Sequence, residues 1–484
     1  MTAKIKLLAL GLAALPGPGV AASDIRLIEA AQARHHQTIG DLLKQGVDPN
    51  TATPTGETAL HWAAHRDDLN VARELIHAGA KIVPNRYGLS ALVPACANGN
   101  AAMIELLLDA GADPNLSEPD GRTPLMVASK TGKPEAVRTL LTRGARVDDK
   151  EHAQAQTALM WAAAEGHADV VRQLVRAGAQ LEAKSKGGFT ALHFAARQGK
   201  IDVLRALIEL GAGVNGGIGS DGDGPSALAL AVTNLHFELG AVLLQAGADP
   251  NYTWQGRTVL HILTWVSRLG IGTNDPVPEG SGNLSRLDLL RELAKHGADL
   301  NRRMTSPRGG VRTVLNMKGA TPFLLAARTA DAAMMRLLAE LGADPLLPNE
   351  EGTTPLLVAA GVGVQSPEED PGTESEVLES VNVAVELGND VNAVDQRGET
   401  AMHGAAYKYA AAVVPYLMEK GAKIEIWNRK NKLGWTPLRI ATGVHRAMNL
   451  RSSPKTAAAL RQFMVAAGVS TELEPETNIS GATN

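Results

Sequence analysis

Apolar positions in this chain come in short bursts separated by polar turn residues, and the bursts recur at a near-constant interval. In the segment opened by Gly56, one burst is Leu60 with the pair Ala63-Ala64, and the next is Leu75-Ile76. Leu125, Leu159, Leu192, Leu228 and Leu356 repeat the first burst. Leu107-Leu108, Leu140-Leu141, Leu174-Val175, Leu207-Ile208 and Leu243-Leu244 repeat the second. The pattern predicts a pair of short helices in each unit, with small Ala-Ala steps that let the helices approach closely. No such pair can bury its apolar face alone, so each unit depends on its neighbours.

Glycines mark the period. Units open at Gly56, Gly88, Gly121, Ala155 (in place of a glycine), Gly188, Gly224, Gly256, Gly319, Gly352, Gly398 and Gly434. The first five gaps are 32, 33, 34, 33 and 36 residues. A second glycine, in a Gly-Ala pair, usually follows 23 positions on, as at Gly79, Gly111, Gly144, Gly178 and Gly211. There it supplies the left-handed conformation that ends a helix without a Cβ penalty. Thr123-Pro124, Thr321-Pro322, Thr354-Pro355 and Thr436-Pro437 place a capping hydroxyl before a helix and a proline in its first turn. Asp48-Pro49-Asn50, Asp113-Pro114-Asn115 and Asp249-Pro250-Asn251 carry turn chemistry for a finger leading to the next unit.

The phrase Gly56-Glu-Thr-Ala-Leu-His-Trp-Ala-Ala, closed by Gly79-Ala80, resembles the ankyrin repeat over roughly residues 24–470. The resemblance implies an all-α ankyrin-repeat solenoid of about eleven helix-turn-helix units with β-hairpin fingers. Residues 24–50 lack the opening phrase and form an N-terminal helical cap, while 471–484 make a polar tail. His61, His193, His261 and His403 share one position of the phrase, where the resemblance implies that the imidazole braces a turn. Trp62, Trp161 and Phe194 follow it and are expected to pack between units.

Insertions interrupt the period. The unit from Gly256 carries 18 extra residues around 268–283, the unit from Gly352 carries 13 around 363–375, and the unit from Gly434 carries 11 around 445–454. All three are expected as loops. A lengthened finger within 300–330 holds Arg302, Arg303, Arg308, Arg312, Lys318 and Arg328 without an acidic residue. The insertion at 363–375 is instead acidic, with Glu368, Glu369, Asp370 and Glu374, followed by Glu376 and Glu379.

Composition narrows the function more than the fold. Aromatics make up 3% of residues, in keeping with a core of Leu, Ala and Val. A net charge of −4 gives no general pull toward nucleic acid. One cysteine, Cys96, cannot make an internal disulfide and stands where a small buried residue belongs. Lys4 and Lys6, the apolar residues 7–15 and Val20-Ala21-Ala22 read as a signal peptide over 1–22. Export is therefore expected, to the periplasm in a Gram-negative source, with no stable membrane insertion after cleavage and a monomeric product. Zinc-protease, phosphate-loop, serine-elbow and paired-cysteine motifs are absent from the chain. Gly219-Ser-Asp-Gly-Asp-Gly224 lacks the ligand schedule of a calcium loop. No enzyme activity, metal or cofactor is expected.

The resemblance implies partner binding on finger tips and the exposed side of each first helix. Carried over by position, that face includes Glu57, His65, Arg66, Tyr87, Lys130, Lys186, Phe189 and Arg197. The stronger candidates are Trp254, Arg257, Trp265, Lys318 and Arg328, followed by Arg397, Tyr407, Lys408 and Trp435, because Trp, Tyr and Arg dominate interface hot spots. The expected role is an exported protein-interaction scaffold. Two alternatives stand beside it: an accessory or assembly factor for a periplasmic redox or stress-response enzyme, and a secreted effector that binds a target-cell protein.

Overall fold

The structure is a computed structural model that describes residues 24–219, 221–266, 280–306, 315–364, 371–446 and 449–473. The expected signal peptide and most of the polar tail lie outside them, as do Arg308, Arg312, Glu368, Glu369 and Asp370. The chain forms two compact units: Met1–Ala162 with Arg176–Ala179, and Ala163–Val175 with Gln180–Asn484.

The first unit stacks helix pairs. Arg26–Ala33 and His36–Lys44 come first, then Ala59–His65 and Leu69–His77, Leu92–Asn98 and Ala101–Asp109, and Pro124–Thr131 and Pro134–Thr142. The second unit repeats the scheme from Ala191–Arg197 and Ile201–Glu209 to Pro437–Thr442 and Pro454–Ala466. Leu60, Leu75, Leu107, Leu140, Leu192, Leu207, Leu228 and Leu243 are all buried, so the two bursts of each pair meet inside the stack.

Local chemistry explains the helix starts. The Thr123, Thr321, Thr354 and Thr436 hydroxyls each accept from the backbone N–H three residues on. Thr321→Ala should therefore lower stability by about 1 kcal/mol in urea denaturation, with no change in helix content. In four other units the histidine completes the cap. Thr58, Thr190, Thr258 and Thr400 each donate their backbone N–H to Nδ1 of the histidine three positions on, at 3.2, 3.3, 3.1 and 3.2 Å. Nδ1 is then an acceptor and Nε2 carries the proton. Nε2 donates across to the carbonyls of Leu89, Gly216, Arg302 and, for His403, both Arg429 and Trp435. Burial pushes all four imidazoles below their usual pKa, His261 and His403 to about 4, which keeps this neutral tautomer in place.

Asparagines tie several of the fingers to the next. Asn50 accepts from Lys81 N and donates to Gly79 O, and Asn115, Asn251 and Asn392 repeat both bonds one unit on. The fingers themselves are loops with isolated bridges, such as Ala52 to Thr58 and Trp254 to Arg257, rather than ladders.

One insertion differs from the loop expected. Val444–Arg446 and Asn449–Arg451 form an antiparallel strand pair. Thr373 caps a 13-residue helix, Glu374–Glu386, through a capping box with Glu376. Its first turn places Glu374 and Glu376 at the positive end of the helix dipole, and Arg336 pairs with Glu379 and Glu386. Those acidic residues serve the helix. The short helix Ile424–Trp427, in the last finger, had no signal in the period.

Candidate functional site

In the second unit, Trp254-Gln255-Gly256-Arg257 turns the chain through two consecutive positive φ angles, 51° at Gln255 and 76° at Gly256. Trp254 and Arg257 exchange both backbone hydrogen bonds, at 2.9 and 3.1 Å. This is the geometry of a two-residue hairpin turn, which sets the two side chains opposite each other. A Cβ at Gly256 would lie 2.7 Å from Ser306 N, so glycine lets the next finger approach.

The Arg257 guanidinium lies 4.9 Å from the Trp254 ring centroid and 5.9 Å from that of Trp265, which follows the helix Val259–Leu263. Arg257 is only 8% exposed, while both tryptophans are half-buried. Burial lowers the arginine's pKa from its usual value, yet guanidinium stays charged in proteins. Gln255 Oε1 accepts from its Nη2 at 2.9 Å. Beneath, His261, Met304, Met317, Leu325, Arg328 and Thr329 complete a small apolar cavity lined also by Arg257 and Trp265. The site offers flat aromatic faces, a held cation and methionine side chains that adapt to shape. These are recognition elements.

The structure brings four of the nine candidates together: Trp254, Arg257, Trp265 and Arg328. Arg328 is buried in the cavity wall rather than displayed on the surface. Lys318 is exposed and pairs with Glu350 at 3.1 Å. Lys408 donates to Pro371 O at 2.8 Å, which holds the end of the inserted segment. Arg397 lies 3.4 Å from Glu351 and 3.8 Å from Asp395. Trp435 is half-buried, and its backbone N–H donates to Asn431 Oδ1 at 3.0 Å.

Tyr407 is a correction. At 3% exposure it offers no contact surface. Its hydroxyl donates to Glu399 Oε1 at 3.1 Å and accepts from Asn431 Nδ2 at 2.9 Å, so it clamps two successive units. Among the inter-unit aromatics, Phe194 is buried as expected, whereas Trp62 and Trp161 are half-exposed under Arg66 and Lys130. Arg303, from the basic finger, donates to Gly319 O and Pro348 O and so has a structural task. The Tyr252 hydroxyl bonds the carbonyls of Gly222 and Gly224.

Glu399 is the residue that sequence reasoning missed. It is 4% exposed, with Oε1 held by Tyr407 and Asn431 and Oε2 buried without a hydrogen-bond partner. Its position after the opening glycine holds Arg257 and Trp435 in other units, so the alignment of units marks it as variable.

A family model described as ankyrin repeats, in three copies, matches residues 27–118, 85–151 and 125–217. Together with the helix pairs, the match establishes an ankyrin-repeat solenoid fold. A transient receptor potential cation channel subfamily A member 1 homolog from Caenorhabditis elegans is 33% identical over 109 residues, covering 22% of this chain and 9% of its own. The E3 ubiquitin-protein ligase KEG of Arabidopsis thaliana is 25% identical over 341 residues, covering 66% of this chain and 18% of its own. The solved human ASB11 ankyrin repeat domain is 28% identical, covering 46% of this chain and 99% of its own, with a TM-score of 0.42. This chain spans less than a quarter of those two curated relatives' lengths.

Proposed function

From the ankyrin repeats carried by residues 27–217, we propose that this chain is an exported, monomeric protein-interaction scaffold without catalytic activity of its own. Its partner is a protein, held on the second unit at Trp254 and Trp265 with Arg257 between them, over the cavity that Arg328 helps to wall. One observation carries the reading: a charged guanidinium is held between two half-exposed indoles over a methionine-lined cavity. Aromatic and arginine anchors of this kind dominate binding energy at protein interfaces. Export rests on the lysines, apolar stretch and small-residue site within residues 4–22. Among the described residues, no helix is long and apolar enough to cross a membrane.

Affinity capture from an envelope extract tests the proposal. Trp254→Ala and Trp265→Ala are each expected to weaken retention of the same captured protein by about tenfold or more. Far-ultraviolet circular dichroism and melting should stay near the parent's. Undiminished capture by both variants would remove the site from the interface, and a collapsed melting transition would assign the indoles to folding.

A further inference from the structure

We propose that the outer face of the helix Pro454–Ala466 is a docking site for an anionic lipid surface. This helix is the second of its pair, packed on Pro437–Thr442 and Val413–Glu419 through Ala457, Leu460 and Met464. Its exposed face is therefore neither a finger tip nor the exposed side of a first helix. The contact is adsorption, since no helix among the described residues is long and apolar enough to span a bilayer.

Charge selects the occupant. Residues 426–471 hold eight Lys and Arg and no Asp or Glu. The whole chain has 47 basic and 51 acidic residues, so everything outside this segment carries a net charge of −12. An anionic surface therefore repels the rest of the chain and attracts this end, which orients the approach. Lys455 and Arg461 are exposed and make no ion pair among the described residues. The flanking acids are engaged elsewhere or lie beyond the helix. Glu419, at the end of the adjacent helix, pairs with Lys420 at 3.6 Å. Glu425 meets Arg429 only through its backbone carbonyl, at 2.8 Å, and Glu472 follows the helix, its N–H donating to Ser470 Oγ.

The helix itself breaks two local rules. Its first turn holds Lys455 and no acidic residue, at the positive end of the dipole, where a cation costs stability. The helix Glu374–Glu386 does the opposite, with Glu374 and Glu376 in that turn. Val465 is 67% exposed, more than any other large apolar side chain among the described residues. Arg461 and Val465 stand four positions apart, so they share one face of the helix. Neither feature stabilises the fold, and a local rule broken without structural gain marks a functional position. An aliphatic side chain flanked by cations suits a bilayer interface. Val465 enters the apolar boundary while Lys455 and Arg461 reach the phosphates. A nucleic acid would use the cations but leave Val465 in water, and the exposed residues of this helix include no aromatic ring on which a base could stack.

The test is co-sedimentation of the full chain with vesicles of phosphatidylcholine, alone or with about one third phosphatidylglycerol. Binding should rise with the anionic lipid and weaken as salt increases from about 0.05 M to about 0.5 M. Each cation near such a surface is worth about fivefold, so Lys455→Glu/Arg461→Glu is expected to weaken binding about twentyfold. Val465→Ala should weaken it about threefold. Reversal at Lys455 also puts a carboxylate at the positive end of the helix dipole, so the melting temperature should not fall. All variants share residues 1–22, so the comparison is blind to the apolar stretch there. Trp254→Ala/Trp265→Ala should bind the vesicles as the parent does, which separates this outcome from that of partner capture. Equal binding with and without phosphatidylglycerol would overturn the proposal. So would an anionic preference that survives the double reversal, or tighter binding of oligodeoxythymidylate than of the vesicles at the same residues.

Discussion

Replacing Glu399 by glutamine should stabilise the second unit at pH 8 and change it little at pH 5. Burial is the main cause of this carboxyl's raised pKa, from 4.5 to about 7. Hydrogen bonds from Tyr407 and Asn431 and the charge of Arg397 oppose the shift, while Asp395 adds to it. The folded protein therefore keeps a proton that the unfolded chain releases. That contribution is fully present below about pH 4.5, declines as pH rises, and is gone above about 7. The difference between the two values corresponds to roughly 3 kcal/mol. Glutamine carries no charge at any of these pH values and can still accept from Tyr407 and Asn431. Urea unfolding followed by tryptophan fluorescence at both pH values reads the effect. An equal gain at pH 5 and pH 8, or none at either, would show that Glu399 is not protonated in the fold.

The second large effect is expected from Gly404→Trp, which installs the residue that Trp62 and Trp161 supply at the same position of their units. A Cβ on Gly404 would lie 2.9 Å from Val362 N and 3.0 Å from both Ala360 C and Gly361 N. These are backbone atoms of the preceding unit, at the start of its insertion, and they cannot swing aside as a flexible side chain can. In return, a Cβ at Gly361 would meet Gly404 O at 2.5 Å. The helices Pro355–Ala360 and Ala401–Lys408 thus cross with main chain in the place of an aromatic ring. Overpacking here should remove about 3 kcal/mol or more, measured as a fall in the urea midpoint. A midpoint unchanged from the parent would mean that the inserted segment does not sit on this helix.

Legibility followed range. The helix pairs, threonine caps and histidine braces were readable because each is set by residues within one period. The capping hydroxyl and the orphan N–H it serves are three positions apart, and the imidazole that reinforces them is in the same short segment. The helix Glu374–Glu386 is begun locally as well, by its capping box of Thr373 with Glu376. At the recognition face, sequence marked Trp254, Arg257 and Trp265 by residue type and position. It could not bring Met304, Met317 and Arg328 beneath them, because these come from the next finger and the next helix.

The sequence by itself determined that the chain repeats, which threonines and glycines begin and end the repeated helices, and which faces must be covered. All of that follows from periodicity and local hydrogen bonding. Only the tertiary structure decided that Tyr407 is a buried clamp whose hydroxyl donates to Glu399 and accepts from Asn431, and that Gly404 receives the backbone of an inserted turn. Each of these depends on what a neighbouring unit places against the position. Equivalent positions in successive repeats have the same backbone geometry but different neighbours, so the same alignment column holds an exposed anchor in one unit and a sealed one in another.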